Sequence, residues 1–344
     1  MMTNLFKKAA FFTDIHFGLK TNSLQHNSDC ANFVDWFIQN AKKEGCETCF
    51  FLGDWNHNRA AINIQTLQFG LHALEKLSKS FDQIFFIPGN HDLFYRDKRD
   101  VHSVEWGKHL PNVTIVNDWF TAGDVTIAPW IVGDEWKKLE SLSGKYLFGH
   151  LELPHFYMNA MIQMPDHKEI QINHLKGFDE VFSGHFHKRQ TRGNVTYIGN
   201  AFPHNYSDAG DDQRGMMIKS WNGKNEFHAW PNAPKYRVYT LSSVLDAPEK
   251  LLLAGSYVKI NLDIDISFEE ASFIREKLMP EYNLRELTLI PIKQDFSKST
   301  EDNTPAEFES VDKIIQSQIE LLEEGAFDKK LLLEIYNTLN TNTQ

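Results

Sequence analysis

The chain has 344 residues, 42% of them apolar, and a formal net charge of −11. This length allows one large domain with one or two small ones, and no apolar stretch is long enough to predict a transmembrane helix. The acidic charge excludes binding of nucleic acid by bulk attraction, so a nucleic-acid substrate would require local basic patches, metal ions or a partner. The first residues lack the pattern of a signal peptide. The chain has three cysteines, which suits a reducing compartment, so we expect a cytoplasmic protein.

Five short apolar runs each end abruptly in residues that can bind metals or protons. In chain order they are AAFFTDIHFG, CFFLGDWNHN, IFFIPGNHD, KYLFGHLEL and EVFSGHFHKR. Each run is short and rich in aromatic residues, which predicts a buried strand. Between the first strands, NFVDWFIQNAKKEG and NIQTLQFGLHALEKL repeat apolar residues with helical spacing. This order predicts an α/β fold in which the polar residues converge at the carboxyl ends of the strands.

The polar residues at these strand ends form a mixed set of carboxylates, imidazoles and one amide. We predict seven metal ligands: Asp14, His16, Asp54, Asn90, His150, His185 and His187. The set is too large for one tetrahedral ion and suits two adjacent five- or six-coordinate ions, such as manganese, iron or zinc. Two ions about 3.5–4 Å apart can hold a phosphate, bridge a water and lower the pKa of that water.

Four residues in or beside this set have predicted roles. Asp54 is the natural bridging ligand, because one carboxylate can bind both ions. His91 adjoins the predicted ligand Asn90 and is free to protonate a leaving oxygen or to stabilise developing charge. Asp92 is then expected to orient His91 through a hydrogen bond. His57 follows the Gly-Asp motif and either supports the metal site or is a hydrogen-bonded residue at a strand end.

The motifs, in this order, resemble those of the calcineurin-like metallophosphoesterase superfamily. They read Asp14-Ile15-His16, Gly53-Asp54, Gly89-Asn90-His91-Asp92, Gly149-His150 and Gly184-His185-Phe186-His187. Within the superfamily, the chain is similar to nuclease subunits of SbcCD-type DNA repair complexes and to recombination endonuclease subunits of large tailed phages. This resemblance implies a metallophosphoesterase sandwich, β-sheets flanked by helices, with a small α+β capping domain and C-terminal helices. It also implies a two-metal phosphodiesterase that uses Mn²⁺, with Mg²⁺, Fe²⁺ or Zn²⁺ as alternatives.

Two short basic runs follow the two strongest motifs, and they are candidates for contact with DNA. The candidate residues are Tyr95, Arg96, Lys98, Arg99, Lys188, Arg189 and Arg192. Both runs leave the predicted metal edge, where their charge would meet a phosphate backbone. The aromatic ring of the first run would then stack on an unpaired base. The alternative is that these are ordinary solvated loop charges and a packed tyrosine.

We predict four segments along the chain. Residues 1–233 form the metallophosphoesterase catalytic domain, 234–294 a small capping domain that guides DNA, 295–307 a linker, and 308–344 a helical segment. The last segment contains two amphipathic helices, which either pack on their own chain or dock a partner. The partner that the resemblance implies is an SMC-like coiled-coil ATPase of SbcC type, and a homodimer is also implied.

These observations together indicate a metal-dependent DNA exonuclease or endonuclease. It would be the phosphodiesterase subunit of a nuclease–ATPase complex for recombination and double-strand-break processing, in the host cytoplasm if a phage encodes it. One alternative is a metallophosphoesterase that acts on phosphoproteins or small nucleotides, which the charge of −11 favours. Another is a scaffold on an inactive fold of the same family, which is disfavoured because no expected ligand is missing.

Overall fold

The computed structural model describes residues 4–159, 162–166, 169–291 and 331. The chain divides into two compact units, Met1–Ile292 and Lys293–Gln344. The predicted linker 295–307 and the predicted docking helices 308–344 lie outside the described residues, apart from residue 331. Among the helices that are described, none combines the length and the apolar character needed to cross a bilayer.

Strands dominate the described part of the first unit, and they form three sheets. In chain order the strands are β1 (Lys8–Phe12), β2 (Thr48–Phe51), β3 (Gln83–Phe86), β4 (Val113–Ile115), β5 (Phe120–Ala122), β6 (Val125–Ile127), β7 (Gly144–His150), β8 (Phe178–Gly184), β9 (Gln190–Arg192), β10 (Val195–Tyr197), β11 (Gly215–Ser220), β12 (Asn225–Ala229), β13 (Tyr236–Thr240), β14 (Tyr257–Asn261) and β15 (Glu286–Ile290). The first sheet has the order β12-β11-β1-β2-β3-β4, the second β5-β6-β7-β8-β10-β9 and the third β13-β14-β15. The predicted α/β class is confirmed.

α-Helices lie between the strands of the first and third sheets, and 3₁₀ segments occur in other connections. The helices are α1 (Leu19–Asn22), a single distorted turn, α2 (Leu24–Lys43), α3 (Ile64–Ser78), α4 (Leu241–Asp246), α5 (Pro248–Leu251) and α6 (Phe268–Glu281). The 3₁₀ segments are Glu105–His109, Gly133–Ser141, Ile172–Leu175 and Tyr206–Asp208.

The parallel strands bring the polar loops to one edge of each six-stranded sheet. In the first sheet β1, β2, β3 and β4 run parallel, and in the second β6, β7, β8 and β10 do so. Backbone pairing continues past the strand ends, because the N–H of Leu52 donates to the carbonyl of Phe12 at 3.1 Å. The N–H of Ile87 likewise donates to the carbonyl of Phe51 at 2.9 Å. The loops after β1, β2 and β3 therefore start side by side.

Pairs of phenylalanines fill both faces of the first sheet. Successive residues of a strand point to opposite faces, so Phe11 packs toward the second sheet and Phe12 toward the helices. Between the sheets, the ring of Phe50 lies 4.7 Å from that of Phe11 and 4.6 Å from that of Phe148, centroid to centroid. On the outer face, the ring of Phe12 lies 4.5 Å from that of Phe37 in α2. The two sheets therefore form a sandwich with an aromatic interior.

Helix α2 starts eight residues before the apolar pattern that predicts it. The pattern begins at Asn32, whereas the helix begins at Leu24, after Ser23, whose hydroxyl accepts the N–H of His26 at 3.3 Å. The first two turns carry polar residues that are buried rather than exposed. Asn27, for example, is fully buried and accepts the N–H of Gly18 at 2.8 Å. Hydrophobic periodicity cannot detect a helix face that is buried through hydrogen bonds.

The third sheet lies within residues 234–294, the span predicted as a capping domain. Its three strands are parallel, with Tyr236 opposite Tyr257 and Tyr257 opposite Glu286. Its own apolar cluster contains Val258, Ile260 and Leu287 from the strands together with residues of α4. The sheet is tied to α2, because the guanidinium of Arg285 pairs through two nitrogens with the carboxylate of Asp29, at 2.5 and 3.0 Å.

Replacing Phe50 by Ala should lower the free energy of unfolding by about 3–5 kcal/mol, because a fully buried ring in the sandwich interior leaves a cavity. Urea denaturation followed by circular dichroism measures this loss. Phe268→Ala is the matched control, since that ring is 83% exposed and its removal should change stability by less than about 0.5 kcal/mol. Equal losses in the two variants would show that the sheets do not pack through this layer.

Candidate metal centre

The loops that carry the predicted ligands have unusual backbone conformations. Asp14, His16 and Asp54 have φ values of 52°, 52° and 63°, and His185 has a φ of 87°. This left-handed region costs about 1–3 kcal/mol per residue and persists only where the surroundings enforce it. Here the loops after β1 and β2 enforce it on each other, because Asp14 N–H donates to the carbonyl of Gly53 at 2.9 Å. The N–H of His16 donates to the carbonyl of Asp54 at 3.1 Å.

A first group of donor atoms gathers around His16. Its Nε2 lies 3.9 Å from Asp14 Oδ1 and 3.6 Å from Asp54 Oδ2. The ligand atoms of these three residues all lie within 4.8 Å of one another. His187 joins the group from the loop after β8, with its Nε2 3.9 Å from Asp14 Oδ1. Two carboxylates and two imidazoles thus face one point.

A second group shares Asp54 with the first. His150 Nε2 lies 3.5 Å from Asp54 Oδ2. The amide oxygen of Asn90 lies 3.2 Å from His150 Nε2 and 3.1 Å from His185 Nδ1. Nε2 of His185 also contacts the carboxylate of Glu152 at 3.0 Å. The structure therefore brings all seven predicted ligands together, with the Asp54 carboxylate between the two groups.

Glycines allow this close approach. A Cβ added to Gly89 would lie 2.2 Å from Asp54 Oδ1, and one added to Gly53 would lie 2.2 Å from Nδ1 of His150. Gly53 also has a φ of 106°, which a residue with a Cβ rarely adopts. Gly53 and Gly89 are thus required by the packing of neighbouring motifs.

Asp92 has a different role from the expected one. Its carboxylate accepts the backbone N–H groups of Trp55 at 3.0 Å, Asn56 at 2.8 Å and Gly89 at 2.9 Å. Burial and the charge of Asp54 raise the pKa of Asp92 to about 6, although the three N–H groups act in the opposite direction. Both carboxylate oxygens are therefore occupied in tying the loop after β3 to the loop after β2, and neither orients His91.

His91 is oriented instead by the loop that carries His57. Its Nδ1 lies 2.8 Å from the carbonyl oxygen of His57, and its backbone N–H donates to Asp54 Oδ1 at 2.9 Å. The two imidazole rings are stacked, with centroids 5.2 Å apart. Burial and the charge of His91 lower the pKa of His57 to about 4, against the pull of Asp54. His57 is thus a neutral ring that packs on His91 at the edge of the first donor group.

Two of the predicted imidazole ligands, His16 and His150, differ in the protonation state that their surroundings favour. Burial opposes the charged forms of Asp54 and His150, but the attraction between the two side chains outweighs the effect of burial. This attraction raises the pKa of His150 to about 9 and holds the pKa of Asp54 well below its usual range. Burial lowers the pKa of His16 well below its usual value, although Asp54 acts in the opposite direction. Bound cations require neutral imidazoles, so binding at Asp54 would release the proton of His150.

Several buried ligand atoms lack a hydrogen-bond partner within the part of the chain that the structure describes. They are Asp14 Oδ1 and both ring nitrogens of His16. Buried polar atoms without partners are rare, and an ion is one explanation for them. Because carboxylate, imidazole and amide oxygen donors suit divalent transition metals, the residues present fit two divalent cations that share Asp54.

Sequence reasoning missed one residue at this edge. His204 is 1% exposed, and its ring lies 5.4 Å from that of His16 and 5.3 Å from that of His187, centroid to centroid. Burial and the neighbouring His187 hold its pKa well below the usual value. A signal was present, because β10 runs parallel to β8 and is followed by IGNAFPH, a short apolar run that also ends in a histidine.

The residues of the first basic run differ in how far their side chains are exposed. Arg99 is held by structural contacts, because its guanidinium pairs with Glu135 and donates to the carbonyl of Trp130 at 2.9 Å. Tyr95, Arg96 and Lys98 are exposed, and the ammonium of Lys98 lies 4.6 Å from the ring of Tyr95. The contact with DNA proposed for this run therefore depends mainly on Arg96 and Lys98.

The second basic run is partly engaged with aromatic rings. The ammonium of Lys188 lies 4.7 Å from the ring of Tyr157, and the guanidinium of Arg189 lies 4.5 Å from that of Phe227. Arg192, in β9, is exposed. The run starts beside the metal edge, because Lys188 directly follows His187.

The described residues form a two-sheet sandwich whose strand ends gather carboxylates and imidazoles, an arrangement that metal-dependent phosphoesterases use. Residues 7–189 match the family described as Calcineurin-like phosphoesterase, and the chain belongs to that family. The match covers all seven predicted ligands.

A curated relative extends the similarity beyond the catalytic region. The protein called Exonuclease subunit 1 of Enterobacteria phage T4 is 24% identical over 337 residues, covering 95% of this chain and 96% of the relative.

Solved structures give more distant matches. The nuclease MPE of Pseudomonas putida matches with a TM-score of 0.30 and 17% identity over 55% of this chain and 66% of its own. The E. coli phosphoesterase Yfce has a TM-score of 0.34, with 14% identity over 66% of this chain and 94% of its own. A dimetal phosphatase of Danio rerio has a TM-score of 0.38, with 12% identity over 62% and 92% respectively.

Gly89→Ala should weaken binding of Mn²⁺ by about 10–100-fold or more, because the new methyl group displaces the carboxylate that both donor groups share. Isothermal titration calorimetry measures the number and affinity of bound ions. Gly123→Ala is the control, since nothing lies within 4 Å of its added Cβ, and its φ of 57° makes it the more strained backbone substitution of the two. Unchanged affinity in Gly89→Ala would contradict a shared role for Asp54.

Proposed function

We propose that this protein is a metal-dependent DNA nuclease, the phosphodiesterase subunit of a nuclease–ATPase complex. One observation carries the proposal: the Asp54 carboxylate stands between two groups of donor atoms, an arrangement suited to a pair of cations on one phosphate. The similarity to Exonuclease subunit 1 of phage T4, over 95% of this chain, supports DNA as the substrate.

The residues divide naturally between the two cations. Asp14, His16, Asp54 and His187 would hold the first. Asp54 would hold the second together with Asn90, His150 and His185, the residues of the other donor group. When bound, divalent ions neutralise phosphate charge and make a water more acidic. Because the donors are mainly imidazole and carboxylate, we propose Mn²⁺ as the natural metal, with Mg²⁺, Fe²⁺ and Zn²⁺ as alternatives.

His91 is placed to move a proton. Its Nδ1 faces the carbonyl of His57, which fixes the tautomer and leaves Nε2 available. Its backbone N–H is bonded to Asp54, and its ring lies 4.9 Å from that of His16 in the first donor group, centroid to centroid. We therefore assign His91 the role of the acid that protonates the departing sugar oxygen. His57 supports this role by packing on the ring and by supplying its carbonyl oxygen.

An open cavity beside His91 supports a phosphate-bearing substrate. It measures about 680 Å³ and is lined by Asn22, His57, Arg59, Asn63 and His91. Burial and the charge of Arg96 lower the pKa of Arg59, so the two guanidinium groups lie close enough to interact. Arg59, which lines this cavity with His91, and the nearby Arg96 would contact the phosphates of a DNA backbone bound there.

The proposed partners follow from the relative and from the C-terminal region. The T4 protein is named as a subunit, which supports a partner for this chain, and we propose an SMC-like ATPase of SbcC type. We also propose a homodimer and a capping role for residues 234–294 in guiding DNA. The helices proposed to dock the ATPase, residues 308–344, lie outside the described residues.

A second candidate function is hydrolysis of phosphoproteins or small nucleotides. The net charge of −11 favours it, because an acidic surface repels a polyanion. The same metal centre would serve both functions, so only the substrate distinguishes them.

His91→Ala should lower kcat for DNA cleavage by about 10²–10⁴-fold, because the leaving oxygen loses its acid, while Mn²⁺ binding is unchanged. Cleavage of linear duplex DNA and calorimetric titration with Mn²⁺ measure the two effects separately. His72→Ala, an exposed histidine in α3, is the control and should retain full activity. Loss of a bound ion in His91→Ala would instead identify His91 as a ligand.

With Mn²⁺, the protein should cleave linear duplex DNA faster than it hydrolyses a phosphopeptide or bis(p-nitrophenyl) phosphate, and EDTA should abolish every activity. DNA cleavage alone should fall steeply with added salt, since contacts with the phosphate backbone displace counterions. Rates with and without an SbcC-type ATPase subunit and ATP test the proposed complex. A preference for the phosphopeptide, with no salt dependence, would favour the second candidate function.

A further inference from the structure

His204 is a buried imidazole for which the proposed chemistry has no role. Its side chain is almost fully buried, and neither ring nitrogen has a hydrogen-bond partner among the described residues. A neutral imidazole carries one N–H donor and one acceptor nitrogen. Burying both without partners is unfavourable, so such a residue calls for a partner outside the polypeptide.

The ring of His204 faces two of the proposed ligands. It meets the rings of His16 and His187 nearly perpendicularly, at 86° in both cases. The nearest donor atoms of these three residues all lie within 4.8 Å of one another. His16 also belongs to the group formed with Asp14 and Asp54. The imidazole of His204 therefore borders the first donor group.

The backbone of His204 is held firmly on both sides. Its N–H donates to the carboxylate of Asp208 at 3.0 Å, and its carbonyl accepts the hydroxyl of Tyr236 at 2.7 Å. Asp208 in turn pairs with Arg214 at 3.2 Å, and Arg214 donates to the amide oxygen of Asn200 at 2.6 Å. A fully buried ion pair is costly to form. Here it anchors the loop that places the imidazole of His204 beside the rings of His16 and His187.

The neighbouring His26 shows what a purely structural histidine looks like in this cluster. Its ring lies 5.5 Å from that of His204 and is also buried. Its Nε2, however, contacts the carbonyl oxygen of His16 at 2.9 Å. If His204 only filled space, phenylalanine would fit this position better, because its ring has no polar atoms to leave unpartnered. The nearby Phe202 is such a residue, and its ring lies 5.0 Å from that of His204.

We propose that His204 is a further ligand of the cation that Asp14, His16, Asp54 and His187 hold. This ion would then have three imidazole ligands, whereas the second donor group has two. The proposal rests on the proposed pair of cations, but not on DNA as the substrate. Imidazole ligands favour transition metals over Mg²⁺, so His204 would also make this site selective for ions such as Mn²⁺ and Co²⁺.

The test compares cation binding by the full chain and by His204→Phe, with calorimetric titration of Mn²⁺, Co²⁺ and Mg²⁺. We expect the wild type to bind two Mn²⁺ ions and the variant to bind one of them about 10–100-fold more weakly. Affinity for Mg²⁺ should fall less than affinity for Co²⁺. The visible absorption of bound Co²⁺, which reports the ligand set, should change for one ion only.

Phe202→Leu is the matched control, because it disturbs the same aromatic cluster without removing a possible ligand. It should bind both ions as the wild type does. Circular dichroism and thermal unfolding without metal establish that each variant is folded. If the larger ring of His204→Phe prevents folding, His204→Leu is used in its place.

Two results would overturn the assignment of His204. One is wild-type affinity for both ions, with an unchanged Co²⁺ spectrum, in a folded His204 variant. The other is an equal loss of affinity in Phe202→Leu, which would mean that packing, not ligation, matters. A wild-type protein that binds two ions and does not cleave DNA would refute the proposed substrate and leave the role of His204 intact.

Discussion

The position of one buried carboxylate, that of Asp54, determines the geometry of the whole metal edge. The backbone of Asp54 is in the left-handed region. The carboxylate oxygen Oδ1 accepts the N–H of His91, and Oδ2 lies between the rings of His16 and His150. A buried charge is tolerated only where it is paired and hydrogen-bonded. The loops after β1, β2 and β3 are bound to one another through this residue and its backbone neighbours, and the absence of a side chain at Gly89 leaves the space that the carboxylate occupies.

The net charge of the chain does not describe the charges that a substrate meets at this edge. The net charge is −11, yet the edge is lined by imidazoles and bordered by Arg59 and Arg96. The number of basic residues in the sequence overstates the positive charge available to a substrate. Three of them, Arg99, Arg214 and Arg285, are each paired with a carboxylate inside the fold. A polyanionic substrate would therefore be attracted by a few exposed side chains and by bound cations, at short range.

The third sheet and the metal edge are physically connected. The hydroxyl of Tyr236, in β13, donates to the carbonyl of His204, and its ring stacks on that of Tyr257 with centroids 4.6 Å apart. The ammonium of Lys20, from the turn after β1, lies 3.6 Å from the centroid of Tyr257. The small sheet therefore supports the loop that holds His204, in addition to its proposed role in guiding DNA.

The sequence by itself determined the α/β class and the residues that meet at the metal edge, because short apolar runs predict strands and parallel strands bring their carboxyl ends together. Roles that depend on distant partners were decided only by the tertiary structure. Asp92 ties loops instead of orienting His91, since the N–H groups that it meets belong mainly to residues 55 and 56. Arg99 is held by Glu135, and the ring of His204 contacts that of His16, a residue 188 positions earlier in the chain. Spacing along a chain encodes local geometry, whereas these contacts arise from the packing of loops on different strands.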